Sequence, residues 1–363
     1  MAILPMSFLN PPPAPKTKLG RYRQLAPRAA IHVSPISLGG MSIGNSEKWN
    51  SSGFGAMNRD SSFKLMDAYY DAGGNFIDTA NIKLIGEWME QRKIRDQMII
   101  ATKYSNFTHN GDDSIAQRVN YIGNNVKSMK LSVEASLQRL RTGYIDILYV
   151  HWYDQHTSVE EMMDALHNLV VAGKGISDTP AWVVVKANDY AKSVGKTPFV
   201  VYQGEYSDWV FTYGVSSLEA RSVRMRKRKA AWNPGKRDEL PRDPEWLRKP
   251  DEVKVCDGLE AMAKEVGAKS IGALAIAYVL HKTQYMFPIL GGRKVEQLMA
   301  NLEALDISLS AEQIEQLDGL KEFNLGWPYN LLGKPGTYPF LITIHATIDP
   351  IPAPSPIRPV KEQ

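Results

Sequence analysis

From about Ile31 onward, short runs rich in β-branched residues alternate with longer stretches whose apolar residues recur at helical spacing. That alternation restricts the fold more than any other feature. Parallel neighbours in a sheet need a crossover of a dozen or more residues between them, and a helix is the usual crossover. The pattern therefore predicts βα units feeding a parallel sheet. The first unit runs from the strand-like "VSPISLGGM" to the helix "DSSFKLMDAYYDAGG", with Asp60, Ser61 or Ser62 able to cap its start and Gly73 able to end it. "NFID", "MIIATK", "YIDILYV", "FVVYQ" and "MFPIL" read as further strands. "IGEWMEQRK", "NNVKSMKLSVEASLQRLR", "MMDALHNLVVAG", "SIGALAIAYVLHK", "KVEQLMANLEAL" and "SAEQIEQLDGLKEF" read as helices. Ser158 and Glu161 form a capping-box spacing, and Pro180 sits where the first turn of a helix tolerates it.

A length of 363 residues admits one large α/β barrel or two ordinary domains. Seven or eight βα steps without a composition break before position 205 favour the barrel. The absence of GxGxxG after the first strand removes the main sign of a doubly wound dinucleotide-binding sheet. The expected organisation is a Pro-rich, extended N-terminal arm over 1–30, an α/β barrel over 31–340, and a Pro-rich tail over 341–363. Within the barrel region, 205–250 has little apolar periodicity and reads as an irregular insertion.

Its basic run from Arg221 to Lys229 lacks interleaved aromatics and reads as a solvated segment rather than a nucleic-acid patch. A net charge of +4 suits an anionic cofactor and falls short of a nucleic-acid binder's footprint. One cysteine, Cys256, cannot form an internal disulfide and fits a reducing compartment. Zinc-ligand spacings and an apolar run long enough to span a bilayer are both lacking, so a soluble, cytoplasmic protein is expected.

In a β/α barrel, polar groups at the C-terminal ends of the strands point into the active-site mouth. Asp78 closes "NFID", Lys103 closes "MIIATK" and His151 comes directly after "YIDILYV". Any one alone is more often a satisfied structural polar group. Together on successive strand ends, a carboxylate pairing a buried lysine beside a histidine makes a proton-transfer device.

"GGNFIDTAN", "IATKY", "YIDILYVHW", "GISDTPAWVV", "VVYQG" and "FPILGGRKVEQLMANLEAL" resemble, in order, the motifs of the aldo-keto reductases. The branch they resemble most is that of the fungal aryl-alcohol dehydrogenases and norsolorinic-acid-reductase-like enzymes. The resemblance implies a (β/α)8 TIM-type barrel and reduction of an aldehyde or ketone by NADPH, or oxidation of an alcohol by NADP. It implies a place in fungal secondary metabolism and a small carbonyl or alcohol substrate. Asp78, Lys103 and His151 match three of the family's catalytic tetrad. The fourth member, a tyrosine that gives the proton to the carbonyl oxygen, has no match. The chain reads "DTANIKLIGEW", with Lys83 where the tyrosine is counted, and Lys83 is read as a solvated start of the next helix.

The resemblance further assigns Ser177, Asp178 and Gln203, with Asp78, to the nicotinamide side of the cofactor site. Gly291, Gly292 and Arg293 would take the 2′-phosphate, and Gln297 and Asn301 the adenine; Gly39, Gly40 and Met41 match a cofactor-side loop more weakly. Family material is missing after "VVAGKG" and after "VVYQG" as well as at the tyrosine loop, which implies a barrel incomplete around its fifth to seventh βα units. "DWVFTYGVSS" is a remnant candidate for the seventh strand, with Tyr213 as a platform for the nicotinamide. The alternative function is a catalytically impaired descendant that keeps cofactor binding or an interaction surface.

Overall fold

The computed structural model describes residues 13–44, 57–79, 82–107, 114–169, 173–204, 250–282, 284–320 and 349. Most of the 205–250 segment, Tyr213, and the tail apart from Asp349 lie outside them.

Strands β1 (Arg23–Ala26) and β2 (Ala29–Val33) form an antiparallel hairpin. Then come β3 (Ser37–Gly39), α1 (Arg59–Asp71), β4 (Phe76–Asp78), α2 (Lys83–Arg92), β5 (Ile99–Tyr104), α3 (Val126–Leu140) and β6 (Ile147–Val150). The chain continues through α4 (Val159–Leu169), β7 (Gly173–Ser177), α5 (Ala181–Ser193) and β8 (Val201–Gln203). After 250 come α6 (Pro250–Val266), α7 (Ile271–Lys282), β9 (Ile289–Leu290), α8 (Val295–Leu302) and α9 (Ala311–Asp318).

Seven parallel strands form one sheet in the order β8-β7-β6-β5-β4-β3-β9. Sequence order is kept throughout, except that β9 returns to pair with β3, Ser37 against Ile289 and Leu38 against Leu290. That return adds a seventh parallel strand to a curled sheet, an incomplete barrel among the described residues. Between β8 and β9 no pairing occurs among the described residues, so these two strands are the edges of the sheet as described. A cavity of about 240 Å³ opens on the inner face of the sheet, lined by Leu25 of the hairpin, by Phe76, Asp78 and Tyr149, and by Gln203 and Phe287 near the two edges.

The hairpin closes the N-terminal end of the barrel. Leu25 and Val33 are buried with Phe76, Ala101, Ile147 and Tyr149. The expected extended arm over 1–30 is thus folded from Thr17 onward. A 3-10 turn over Lys18–Gly20 is capped by the Thr17 side chain, which also donates to the Ala72 carbonyl at 2.7 Å. Leu19 is fully buried in the main core. Prolines dominate the composition here, and a four-residue strand turning at Pro27 carries too little periodicity to stand out against them.

The helices cover the outside. On α1, Ser62, Leu65, Met66 and Tyr69 are buried, a one-face spacing of three and four residues. Its cap is Asn58, whose side chain accepts from Ser61 N at 2.8 Å, so Asp60, Ser61 and Ser62 lie inside the first turn. Gly73 ends it with φ of +100°, as expected. α7 is buried almost all round, from Gly272 to His281.

Candidate active site

Strand alternation sorts the side chains. Phe76, Ala101, Ile147, Tyr149 and Val201 face the barrel interior, while Ile77, Ile100, Leu148, Val150 and Ile176 pack outward beneath the helices. Counting by twos along each strand, Asp78, Lys103, His151, Ser177 and Gln203 share the inward parity and stand at the C-terminal ends. The register agrees, with Asp78 level with Ala101, Lys103 with Tyr149, and Ser177 with Gln203. Five of the expected residues therefore share one mouth. Below them Tyr149 lies across the interior, its ring centroid 5.4 Å from Lys103 Nζ. Gly175 makes room for that ring, since a methyl there would sit 2.4 Å from it.

Lys103 Nζ donates to both oxygens of Asp78, at 2.6 and 2.7 Å, and to the Thr79 carbonyl at 3.3 Å. The Lys103 side chain is 3% exposed and that of Asp78 10%. A pair so withdrawn from water gains stability only when its geometry is good and its remaining donors are occupied. Here the three ammonium protons find three acceptors.

His151 continues the ladder one residue past β6, its N–H donating to the Tyr104 carbonyl at 2.9 Å. Burial, and then the charge of Lys103, lower its pKa to about 4, so the ring is neutral near pH 7. Its Nδ1 faces the Asn106 amide at 3.0 Å, and the Asn106 oxygen accepts from the Trp152 indole at 2.6 Å. Sequence reasoning does not single out Asn106 or Trp152. The signals are nonetheless present: Trp152 stands directly after His151, and Asn106 three residues beyond Lys103.

On the next two strands, Ser177 Oγ and both amide atoms of Gln203 are buried without a hydrogen-bond partner among the described residues. Asp178 comes next, with φ of +40°, and its N–H donates to the Gln203 carbonyl at 3.1 Å. Across the mouth, Gly40 N donates to the Asp78 carbonyl at 2.7 Å and Ser42 Oγ to the Gly292 carbonyl at 3.0 Å. These bonds fix the loop after β3 between β4 and the loop holding Gly291, Gly292 and Arg293. α8 starts beyond Lys294 without a side-chain cap, leaving its first N–H groups available to an anion. Gln297 is exposed on that helix and Asn301 is buried. Met41 is 57% exposed.

Lys83 opens α2 with a 70% exposed side chain, 3.7 Å from Glu87, and takes no part in the mouth. Tyr104 has the outward parity and packs in the core beneath the helices. Neither replaces a catalytic phenol. Among the described residues no group of three or more His, Cys, Asp or Glu could hold a metal, and no helix is long and apolar enough to cross a membrane.

A lysine–carboxylate pair and a neutral histidine at adjoining strand ends, opposite an uncapped helix start, define a β/α-barrel enzyme with its site at the C-terminal mouth. Residues 35–322 match the model of the aldo/keto reductase family. The chain is 48% identical to an NADP(+) aryl-alcohol dehydrogenase of Phanerodontia chrysosporium, covering 98% of this chain and all of that one. It is 39% identical to norsolorinic acid reductase B of Dothistroma septosporum, over 95% of this chain and 96% of the other. Norsolorinic acid reductase A of Aspergillus parasiticus is likewise 39% identical, over 96% of each. The chain belongs to the aldo/keto reductase family. Its alignment with the Phanerodontia enzyme extends over 392 positions, more than its own 363 residues, so that relative has residues where this chain has none.

Proposed function

We propose that this enzyme is an NADP(H)-dependent oxidoreductase that interconverts an aldehyde or ketone with its alcohol, acting on an aryl or polyketide-like substrate of fungal secondary metabolism. The observation that carries the reading is the buried Lys103–Asp78 pair beside neutral His151. The names of the relatives support the substrate class, and the single buried Cys256 supports a cytoplasmic setting.

The residues present fit the cofactor. A buried hydroxyl and amide without partners are costly, and the carboxamide of a nicotinamide offers both a donor and an acceptor to Ser177 Oγ and Gln203. Ser177, Asp178 and Gln203, with Asp78, would hold that end. Gly291, Gly292 and Arg293 would hold the 2′-phosphate at the start of α8, with Gln297 and Asn301 beside the adenine. When bound, the cofactor supplies or accepts the hydride.

The protein's own contribution is electrostatic. Lys103, held by Asp78, places a positive charge beside the oxygen that gains negative character during reduction, and neutral His151 orients that oxygen with a hydrogen bond. Between Thr79 and Ile85 there is no tyrosine to hand over the proton, which leaves water or His151 to supply it. A missing positioned acid costs about 10² to 10⁴ in rate. Slow turnover is the consequence, and with it comes the second reading, a catalytically impaired enzyme that retains cofactor binding; the absent tyrosine favours it.

Fluorescence titration with NADPH tests the proposal, comparing the wild type with Arg293→Ala. Tight binding that weakens in the variant supports it. Folded wild-type protein that binds no NADPH refutes it.

A further inference from the structure

We infer that Asn106 and Trp152 are positioning residues that lock His151 in its Nε2-protonated tautomer, so that the substrate oxygen meets a fixed N–H donor. Trp152 sets the direction of every bond in the chain, because an indole N–H can only donate. At 2.6 Å from Asn106, it requires the amide oxygen on its own side. The amide N–H group is thereby turned to His151 Nδ1, 3.0 Å away. A ring nitrogen that receives an N–H must present a lone pair, so the proton of the neutral imidazole resides on Nε2. Nε2 makes no hydrogen bond to a described residue and is left for a ligand.

The local backbone is built to hold this chain of contacts. Ser105, between the end of β5 and Asn106, has φ of +112°, where non-glycine residues are strained. Fully buried Asn124 secures it, donating to Ser105 Oγ at 2.8 Å and to the Trp152 carbonyl at 2.9 Å. Asn124 also exchanges bonds with Asp154, at 2.7 Å in both directions. One side chain thus ties the loop bearing Asn106 to the loop bearing Trp152. The strain at Ser105 is explained by the need to bring those two residues onto His151. The charged group that acts on the imidazole from the neighbouring strand is Lys103, already paired with Asp78, and it opposes protonation of the ring.

The inference deepens the oxidoreductase reading only in what Nε2–H would face; the tautomer itself is independent of cofactor and turnover. The test is nitrogen NMR of the full chain with 15N-labelled histidine, His151 being assigned by its loss in His151→Gln. The wild type is expected to show an unprotonated Nδ1 and a protonated Nε2 at pH 7. In Asn106→Asp the carboxylate accepts from Trp152 and turns a second acceptor on Nδ1, so the proton moves to Nδ1 and the ring's titration midpoint rises by roughly one to three pH units. Should that variant fail to fold, Trp152→Phe frees the amide to turn, and an averaged tautomer signal is expected. Wild-type protein with Nδ1 protonated, or folded variants whose tautomer and midpoint match the wild type, overturns the inference. Failure of NADPH to bind overturns the proposed function and leaves this result standing.

Discussion

Lys103 Nζ sits between the two oxygens of Asp78, 2.6 Å from one and 2.7 Å from the other. The residues are on adjacent strands, and each comes from a strand whose remaining inward side chains are apolar. The pair is therefore a polar island above the barrel core.

Removing one partner leaves the other charge buried without compensation. Asp78→Asn and Lys103→Met should each destabilise the fold by about 3–5 kcal/mol, read from the urea midpoint. The double substitution should recover part of that loss while abolishing carbonyl reduction. A double variant that is less stable than both singles would contradict the role given to the pair.

Much of this is legible in the sequence, for a reason the structure makes plain. Apolar strands buried on both faces leave little room for a polar side chain except at their ends, so Asp78, Lys103 and His151 stand out there. The helix over Val295–Leu302 and the cap at Ser158, whose hydroxyl accepts from Glu161 N at 3.0 Å, are equally readable from spacing. The hairpin is not, because its strands are short and a proline forms its turn. Nor is the tie between Asn106 and Trp152, residues 46 apart in sequence that meet only because β5 and β6 are neighbours. The residue that caps α1 lies two to four positions before the ones its sequence suggests, because Asn58 competes with three further capping types beside it.

Gly86 offers a test of how closely the outer layer is packed. A methyl group there would lie 2.3 Å from the Arg139 carbonyl oxygen, so α2 meets the backbone of α3 directly. Gly86→Ala should cost about 1–3 kcal/mol through forced separation of the helices, despite alanine's higher helix propensity. A thermal melt unchanged or raised in that variant would show that the helices can part freely.

Gly175→Ala acts on the interior instead. The added methyl would displace the Tyr149 ring, which lies under Lys103. Activity should fall more than stability, because the ring can swing into the interior cavity that it lines while the lysine loses its support. Equal kcat/KM in the variant and the wild type would argue against any influence of Tyr149 on the site.

The unpartnered amide of Gln203 makes opposite predictions for stability and binding. A buried amide left without partners costs about 1–3 kcal/mol, so Gln203→Leu should melt at or above the wild-type temperature in the absence of cofactor. The same substitution should weaken NADPH binding by the loss of two hydrogen bonds. A variant that is both less stable and unimpaired in binding would place the amide in a structural role.

His151 gives the pH dependence its sign. Burial and the charge of Lys103 lower its pKa from 6.5 to about 4 in the folded protein, so between those values the unfolded chain binds more protons than the folded one. Stability from this group is fully present above pH 6.5 and is lost as the pH falls toward 4, by at most about 3 kcal/mol. The loss should disappear in His151→Gln, which removes the titrating group, and should shrink in Lys103→Met, where the opposing charge is gone and the folded pKa moves back toward its ordinary value. Urea midpoints of the three proteins between about pH 4 and pH 7 measure this directly. Parallel curves for the wild type and His151→Gln would mean that the acid sensitivity belongs to carboxylates elsewhere and that the imidazole is not held neutral by its surroundings.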